Sequence, residues 1–167
     1  FRVVPWATFT DPEAAHLGLT EGAARAAGIA YEVHRQPFTQ DDRALVDGEG
    51  QGFVKILSSP GWSGKIIGVH ILGPRAGELI QEWVIAMRYG LNIRQIADAI
   101  HVYPTLTIAS QRAAQRWYEK RSNEPLVQTG RAVYRKVRPA LPGIVQGLGV
   151  VVAAGLIVAA SKVRRRK

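Results

Sequence analysis

The side chains in this sequence that could transfer protons or bind metal ions are few and mostly isolated. The 167 residues include four histidines and no cysteine, which excludes a thiol nucleophile, a disulfide and a zinc–thiolate site within them. No histidine lies three or four positions from another, so no helical metal-binding pair is encoded and we predict no metal site. His70 lies in an apolar strand-like run, whereas His16 and His34 are interpreted as surface or strand-edge residues.

The remaining histidine, His101, lies in the sequence HVYPTLTI between two helical patterns. The residue before a proline is disfavoured in the α region, and X-Pro is the one peptide bond in which the cis form costs little. Residues 101–108, which we call the elbow, are therefore predicted to direct a backbone carbonyl and an aromatic ring outward at Tyr103 and Pro104. His101 and Tyr103 are the candidates for acid–base chemistry.

No other catalytic pattern accompanies the elbow. The sequence contains no GxSxG nucleophile motif, no P-loop and no GxGxxG that follows a strand. Glu78 and Glu82 are one turn apart on a predicted helix, where we interpret both as solvated charges. Between His101 and Glu119 there is no carboxylate that could orient the imidazole. The residues alone define no complete catalytic set.

The strands that would support the elbow come first in the chain. Extended patterns lie at residues 3–10, 31–38, 52–58 and 65–72. The last two form a hairpin whose second strand is central, and the hairpin loop places Trp62 at its tip, where we expect it to be exposed. Asp11-Pro12 is expected to open at most a helical turn, and residues 39–52 are expected to form a polar loop.

Helices follow the strands. Capping residues and apolar periodicity predict them at residues 21–27, 73–89, 93–100 and 105–121. Thr20 and Asn92 have the side chains that cap helix N-termini, while Gly28 and Gly90 stand where helices end. Strands before helices predict an α+β fold, with helices packed on one face of an antiparallel sheet.

The charge separates a body from a tail. Residues 1–121 hold 13 Lys/Arg and 12 Asp/Glu, whereas residues 122–167 hold 9 basic residues and one acidic residue. The body is therefore nearly neutral, which argues against a nucleic-acid-binding face. We predict an interface domain at 1–121, a basic linker at 122–138 and a hydrophobic tail at 139–167.

The tail has the length of a membrane span. Residues 139–161 contain no charged side chain across 23 positions, and a transmembrane helix needs about 20 mostly apolar residues. Basic residues flank both ends, so the positive-inside rule assigns no orientation. The alternatives are a mobile tail or a peripheral basic anchor on anionic lipid. No charged segment precedes an apolar stretch at Phe1, so no signal peptide is predicted and a cytoplasmic location is expected.

An ordered set of motifs resembles a known family. The sequences are PWATFTDPEAAHLGLTE at 5–21, DDRALVDGEGQGFVKIL at 41–57, GKIIGVHILGPRAGELIQEW at 64–83 and YPTLT at 103–107. Together they resemble the C-terminal dimerisation domain of the flavin-dependent pyridine nucleotide-disulfide oxidoreductases, which include dihydrolipoamide dehydrogenase, glutathione reductase and mercuric reductase. The resemblance covers about residues 1–121.

The resemblance implies a homodimer and two cofactors. FAD and NAD(P)H would be bound by domains of the same parent chain upstream of Phe1. Each elbow would reach the flavin site of the partner subunit, with Tyr103 and Pro104 bordering the partner's FAD through a cis peptide. The family's disulfide reductases carry a His–Glu acid–base pair at the positions of Tyr103 and Ile108, so the resemblance implies that disulfide turnover is lost here. The pattern is nearer to mercuric reductase, although the C-terminal cysteine pair of that enzyme is absent.

These observations give a prediction and an alternative. The prediction is the dimerisation domain of a mercuric-reductase-like, FAD-dependent NAD(P)H oxidoreductase, with His101 as a replacement proton carrier and a membrane-associated tail. The alternative is a non-catalytic module for homodimerisation and membrane anchoring. Nucleic-acid binding is a third idea that rests only on net charge.

Overall fold

A five-stranded antiparallel sheet is the frame of the chain. The computed structural model describes residues 3–137, and its strands are β1 Trp6–Thr8, β2 Glu13–Gly18, β3 Glu32–Pro37, β4 Phe53–Ser58 and β5 Ile66–Gly73. Their order across the sheet is β1-β2-β5-β4-β3, so the predicted central position of β5 is confirmed. The sheet and its helices confirm the α+β prediction.

Six α-helices occur within the described residues. They are α1 Glu21–Ala26, α2 Asp42–Val46, α3 Ala76–Arg88, α4 Ile93–Asp98, α5 Thr107–Ser122 and α6 Pro125–Val137. The chain divides into two compact units, Phe1–Tyr118 and Glu119–Lys167. The sheet, the elbow and helices α1 to α4 belong to the first unit.

The predicted helix caps are present. The Thr20 hydroxyl accepts a hydrogen bond from the Ala23 backbone N–H at 3.0 Å. Asn92 forms a capping box with Gln95, in which each side chain accepts from the other residue's backbone N–H. Gly90 ends α3 with a φ of 69°, a left-handed conformation that glycine adopts without a steric cost.

The core lies between the sheet and α3, α4 and α5. α3 packs against β1, β2 and β5, and Trp83 and Trp117 are fully buried. The Trp83 indole N–H donates to the Ser110 hydroxyl at 3.2 Å. Trp62, which we expected at an exposed loop tip, instead packs edge-on against Trp117 with ring centroids 5.6 Å apart. That prediction was wrong because the covering ring comes from a distant part of the same chain.

Two local predictions were also wrong. Asp11-Pro12 is a cis peptide that leads into β2, an alanine-containing strand whose sequence carries little strand signal. The predicted polar loop contains α2, which is capped by the Asp41 carboxylate. Residues 122–138, the predicted basic linker, include α6, a 13-residue helix from Pro125 to Val137.

The hydrophobic tail at 139–167, including the predicted C-terminal helix, lies outside the described residues. Among residues 3–137, no helix is both long and apolar enough to cross a membrane.

Candidate functional site

The elbow is held at both of its ends. α4 ends at Asp98 and α5 begins at Thr107. At the first end, the Ala99 carbonyl accepts a hydrogen bond from the Gln111 side-chain amide of α5 at 2.6 Å. Near the tip, the Thr105 hydroxyl donates to the Val102 carbonyl at 2.6 Å. The segment between the helices is therefore fixed by its own hydrogen bonds.

The tip of the elbow is presented to the outside. The peptide bond between Tyr103 and Pro104 is cis, as the sequence resemblance implied. Tyr103 is 64% exposed and Val102 is 75% exposed, although both carry large apolar surfaces. A held segment with exposed apolar side chains is typical of a surface that a second molecule covers.

His101 makes two contacts with oxygen acceptors. Its Nε2 lies 2.8 Å from a carboxylate oxygen of Glu82 on α3, and its Nδ1 lies 3.0 Å from the Ala99 carbonyl. Its side chain is only 8% exposed. Our interpretation of Glu82 as a solvated charge was therefore wrong, since Glu82 is the carboxylate that orients His101.

The contacts of His101 constrain the chemistry that it could perform. A carboxylate and a carbonyl are both acceptors, so a ring protonated on both nitrogens satisfies both contacts. Proton transfer to an outside group would require one of these hydrogen bonds to break. The geometry suits a residue that fixes the entry to the elbow against α3.

The family's usual carboxylate position lies elsewhere in the structure. Ile108, which stands where the resemblance places a glutamate, is buried on α5 at 8% exposure. Tyr103 stands where the resemblance places a histidine and is exposed. His101 and Glu82 thus form a pair that is displaced from both of those positions.

The other three histidines lie in the sheet. His34 lies on the edge strand β3, one of the two places that we predicted for it, but it is buried rather than at the surface, and its Nε2 lies 2.9 Å from the Ser58 hydroxyl. His16 and His70 face each other across β2 and β5, with their Nδ1 atoms 2.9 Å apart. Burial, followed by the charge of the neighbouring His16, lowers the pKa of His70 to about 4. Burial also lowers the pKa of His16.

A second exposed apolar group accompanies the elbow. On α3, Ile85 is 56% exposed and Tyr89, one turn later, is 75% exposed. Within residues 3–137, no group of three or more His, Asp or Glu side chains is placed to hold a metal ion. Exposed apolar side chains thus lie both on the elbow and on α3.

Comparison with known proteins decides the family. The family model for the pyridine nucleotide-disulphide oxidoreductase dimerisation domain matches residues 4–114. The chain belongs to this family. The match contains the sheet, α3, α4 and the elbow, so the predicted family is confirmed by sequence as well as by fold.

Relatives of this oxidoreductase domain agree with that assignment. The chain is 41% identical over 117 residues to leghemoglobin reductase of Vigna unguiculata, covering 70% of this chain and 22% of that protein. It is 40% identical over 120 residues to the mitochondrial dihydrolipoyl dehydrogenase of Dictyostelium discoideum, covering 72% of this chain and 24% of that protein. The chain thus spans about a quarter of the length of the curated relatives it matches.

Solved structures of the family have the same fold. LpdA from Mycobacterium tuberculosis superimposes with a TM-score of 0.65 at 30% identity, covering 70% of this chain and 25% of that chain. The HOCl-induced flavoprotein disulfide reductase RclA from Escherichia coli gives a TM-score of 0.60 at 24% identity, covering 68% of this chain and 25% of that chain, a likeness of fold alone.

Proposed function

We propose that this chain is the part of a FAD-dependent NAD(P)H oxidoreductase that forms a homodimer and completes the flavin site of the partner subunit. The observation that carries this proposal is the elbow, which is held by hydrogen bonds yet exposes Val102 and Tyr103. FAD and NAD(P)H would be bound by other domains of the parent chain. A GxGxxG motif after a strand is expected in the residues upstream of Phe1, and its absence would count against the proposal.

The residues at the elbow fit a flavin neighbour. A flavin presents a flat, largely apolar ring with polar edges, and the elbow offers an exposed phenol ring and backbone carbonyls beside it. Tyr103 and Pro104 would border the partner's FAD, which would supply the transfer of electrons from the nicotinamide to an acceptor. The role of this chain would be to position the elbow and to exclude water at that edge.

The phenol of Tyr103 is unsuited to the proton transfer that a histidine performs near neutral pH, because a phenol titrates near pH 10. We therefore propose an acceptor other than a lipoamide- or glutathione-type disulfide, in the manner of mercuric reductase. The part of His101 as a proton carrier stays a prediction, and Glu82 is the carboxylate that would orient it. Because both ring nitrogens are engaged, the geometry favours His101 as a residue that positions the elbow.

The dimer is tested with exposed apolar residues. In the 167-residue chain, Val102→Asp should convert a dimer to a monomer in sedimentation velocity experiments, because a charge would be buried at the two-fold interface. Val46→Asp is the matched control, since Val46 is 84% exposed on α2 and lies outside the elbow. A Val102→Asp chain that remains dimeric at the wild-type concentration would contradict the proposal.

The flavin-site role is tested in the parent enzyme. Tyr103→Phe keeps the ring and the carbonyl, so NAD(P)H oxidation should be little changed. Tyr103→Ala removes the ring and should slow NAD(P)H oxidation. An equal loss of NAD(P)H oxidation in both variants would instead assign a chemical role to the hydroxyl group. Wild-type activity in both variants would show that the ring has no role in the flavin site.

A second candidate is a non-catalytic module for homodimerisation and membrane anchoring. It is favoured by the uncharged run at 139–161 and by the lack of a complete catalytic set in this chain. Under either candidate, we propose a cytoplasmic protein whose residues 139–167 contact a membrane. If the full-length protein oxidises no NAD(P)H with any acceptor, the non-catalytic module is favoured. If the chain without residues 139–167 is still recovered with the membrane fraction, these residues are not the anchor.

A further inference from the structure

The paired histidines of β2 and β5 form a site that the elbow does not involve. His16 and His70 are direct cross-strand partners, and their neighbours Leu17 and Val69 face the core. Because side chains alternate along a strand, the two imidazoles lie on the opposite face of the sheet from α3. Both rings are only partly buried, so this face is open to a small ion.

The hydrogen bonds of the pair fix which nitrogen is free. The Nε2 of His70 lies 3.2 Å from the backbone carbonyl of Leu19, an acceptor, so the proton of neutral His70 lies on Nε2. His16 Nδ1–H then donates to the lone pair of His70 Nδ1, 2.9 Å away, and an ion bound by both nitrogens would displace this proton. The Nε2–H of His70 meanwhile stays on the Leu19 carbonyl. This is the arrangement of a metal-binding histidine, which donates its other N–H to a carbonyl.

The separation of the two nitrogens matches a particular coordination geometry. A bond of about 2.0–2.1 Å from each imidazole nitrogen, with a right angle at the metal, places the nitrogens about 2.9 Å apart. A tetrahedral angle would place them about 3.3–3.4 Å apart. The 2.9 Å hydrogen-bond distance between these nitrogens is compatible with adjacent positions of a square-planar or tetragonal ion, the geometry of Cu(II) and Ni(II).

The charges around the pair are compatible with a cation. Lys55 lies opposite His70 on β4, but its ammonium group is 2.8 Å from a carboxylate oxygen of Glu21 on α1. The lowered pKa of His70 keeps its ring neutral at pH 7, and neutral imidazole is the form that binds metals. The Trp6 ring lies beside His16, with centroids 5.3 Å apart, and shields one side of the pair.

We propose that His16 and His70 form a two-histidine site for a divalent transition-metal ion, with Cu(II) preferred, and that water fills the remaining positions. Cu(II) is preferred because the separation of the two nitrogens is compatible with square-planar coordination, and because Cu(II) has the highest affinity for nitrogen ligands among the divalent first-row metals. The bound ion would cross-link β2 and β5 on the sheet face away from α3.

The test is a titration of the 167-residue chain with Cu(II) at pH 7, followed by calorimetry and electron paramagnetic resonance. The expected result is one ion per chain, with the spectrum of a tetragonal ion and hyperfine coupling to two imidazole nitrogens. His16→Gln and His70→Gln should each weaken binding at least about tenfold. His101→Gln is the matched control, because it removes one imidazole outside the pair and should leave the affinity unchanged.

Circular dichroism shows whether the glutamine variants keep the fold. If either variant unfolds, the proton NMR spectrum of the wild-type chain still tests the site. A bound paramagnetic ion should broaden the imidazole resonances of His16 and His70 before those of His34 and His101. Broadening that starts elsewhere, a spectrum with one nitrogen ligand, or full binding in both glutamine variants would overturn the proposal.

Discussion

The contact between His101 and Glu82 predicts a measurable coupling energy. Replacing either residue by alanine removes the hydrogen bond of 2.8 Å between the imidazole and the carboxylate. Hydrogen bonds to charged groups contribute about 1.5–3 kcal/mol. The Glu82 side chain is 28% exposed, so water screens the pair in part, and we expect a coupling near the lower limit, about 1.5 kcal/mol.

The assay is a double-mutant cycle measured by urea unfolding. Wild type, Glu82→Ala, His101→Ala and the double variant are unfolded at one protein concentration, because the proposed dimerisation would make the apparent stability depend on concentration. With a urea dependence of about 1–3 kcal/mol per molar, a coupling of this size corresponds to a midpoint difference of about 0.5–1.5 M.

Glu49→Ala provides the matched control. Glu49 is exposed, and its carboxylate makes no hydrogen bond within residues 3–137. Its effect should add to that of His101→Ala within about 0.5 kcal/mol. A coupling for Glu82 that is no larger than this control would refute the inference that α3 fixes the entry to the elbow through the hydrogen bond between Glu82 and His101.

Three further outcomes are expected from urea or thermal unfolding. Gly68→Ala should destabilise the fold by about 1–3 kcal/mol or more, because its Cβ would overlap the Leu19 carbonyl that follows β2. Gly22→Ala on α1 would meet only the Thr20 hydroxyl, at an ordinary contact distance of 3.8 Å, and should stabilise the fold by about 0.5–1 kcal/mol. Similar effects from the two substitutions would contradict this reasoning. Ser110→Ala should cost about 1–3 kcal/mol, since it leaves the buried Trp83 N–H without its acceptor, and a neutral result would imply another acceptor. Burial and the adjacent imidazole lower the pKa of His70 from 6.5 to about 4 in the folded chain, so as the pH falls the unfolded chain binds this proton first. The contribution of His70 to the free energy of unfolding should therefore be full above pH 6.5 and decline as the pH falls toward 4. His70→Gln should show a flatter dependence of stability on pH.

Local signals in the sequence predicted much of the fold. Thr20 and Asn92 cap helices because their side-chain oxygens accept from backbone N–H groups nearby, and Gly90 ends α3 because it adopts a positive φ. The apolar run of β5 predicted its central place in the sheet. These features depend on residues within a few positions of each other, so the order of residues suffices to reveal them.

Features that depend on distant residues were missed. Glu82 lies 19 positions before His101, and only the packing of the elbow against α3 brings the carboxylate to the imidazole. Trp62 and Trp117 are 55 positions apart, and their contact turns an expected surface residue into part of the core. The spacing of residues within a motif was no guide here, since neither pair lies within one element.

The sequence by itself determined the family, four of the five strands, four of the six α-helices of residues 3–137, and the elbow with its outward-facing Tyr103. The tertiary structure alone decided which groups meet: His101 with Glu82, and His16 with His70 across β2 and β5. The physical reason is the separation, along the chain, of the residues that each feature requires. Caps, turns and periodicity are set by the backbone over a few residues, whereas proton-transferring and metal-binding groups act over about 3 Å between side chains that only the folded chain brings together.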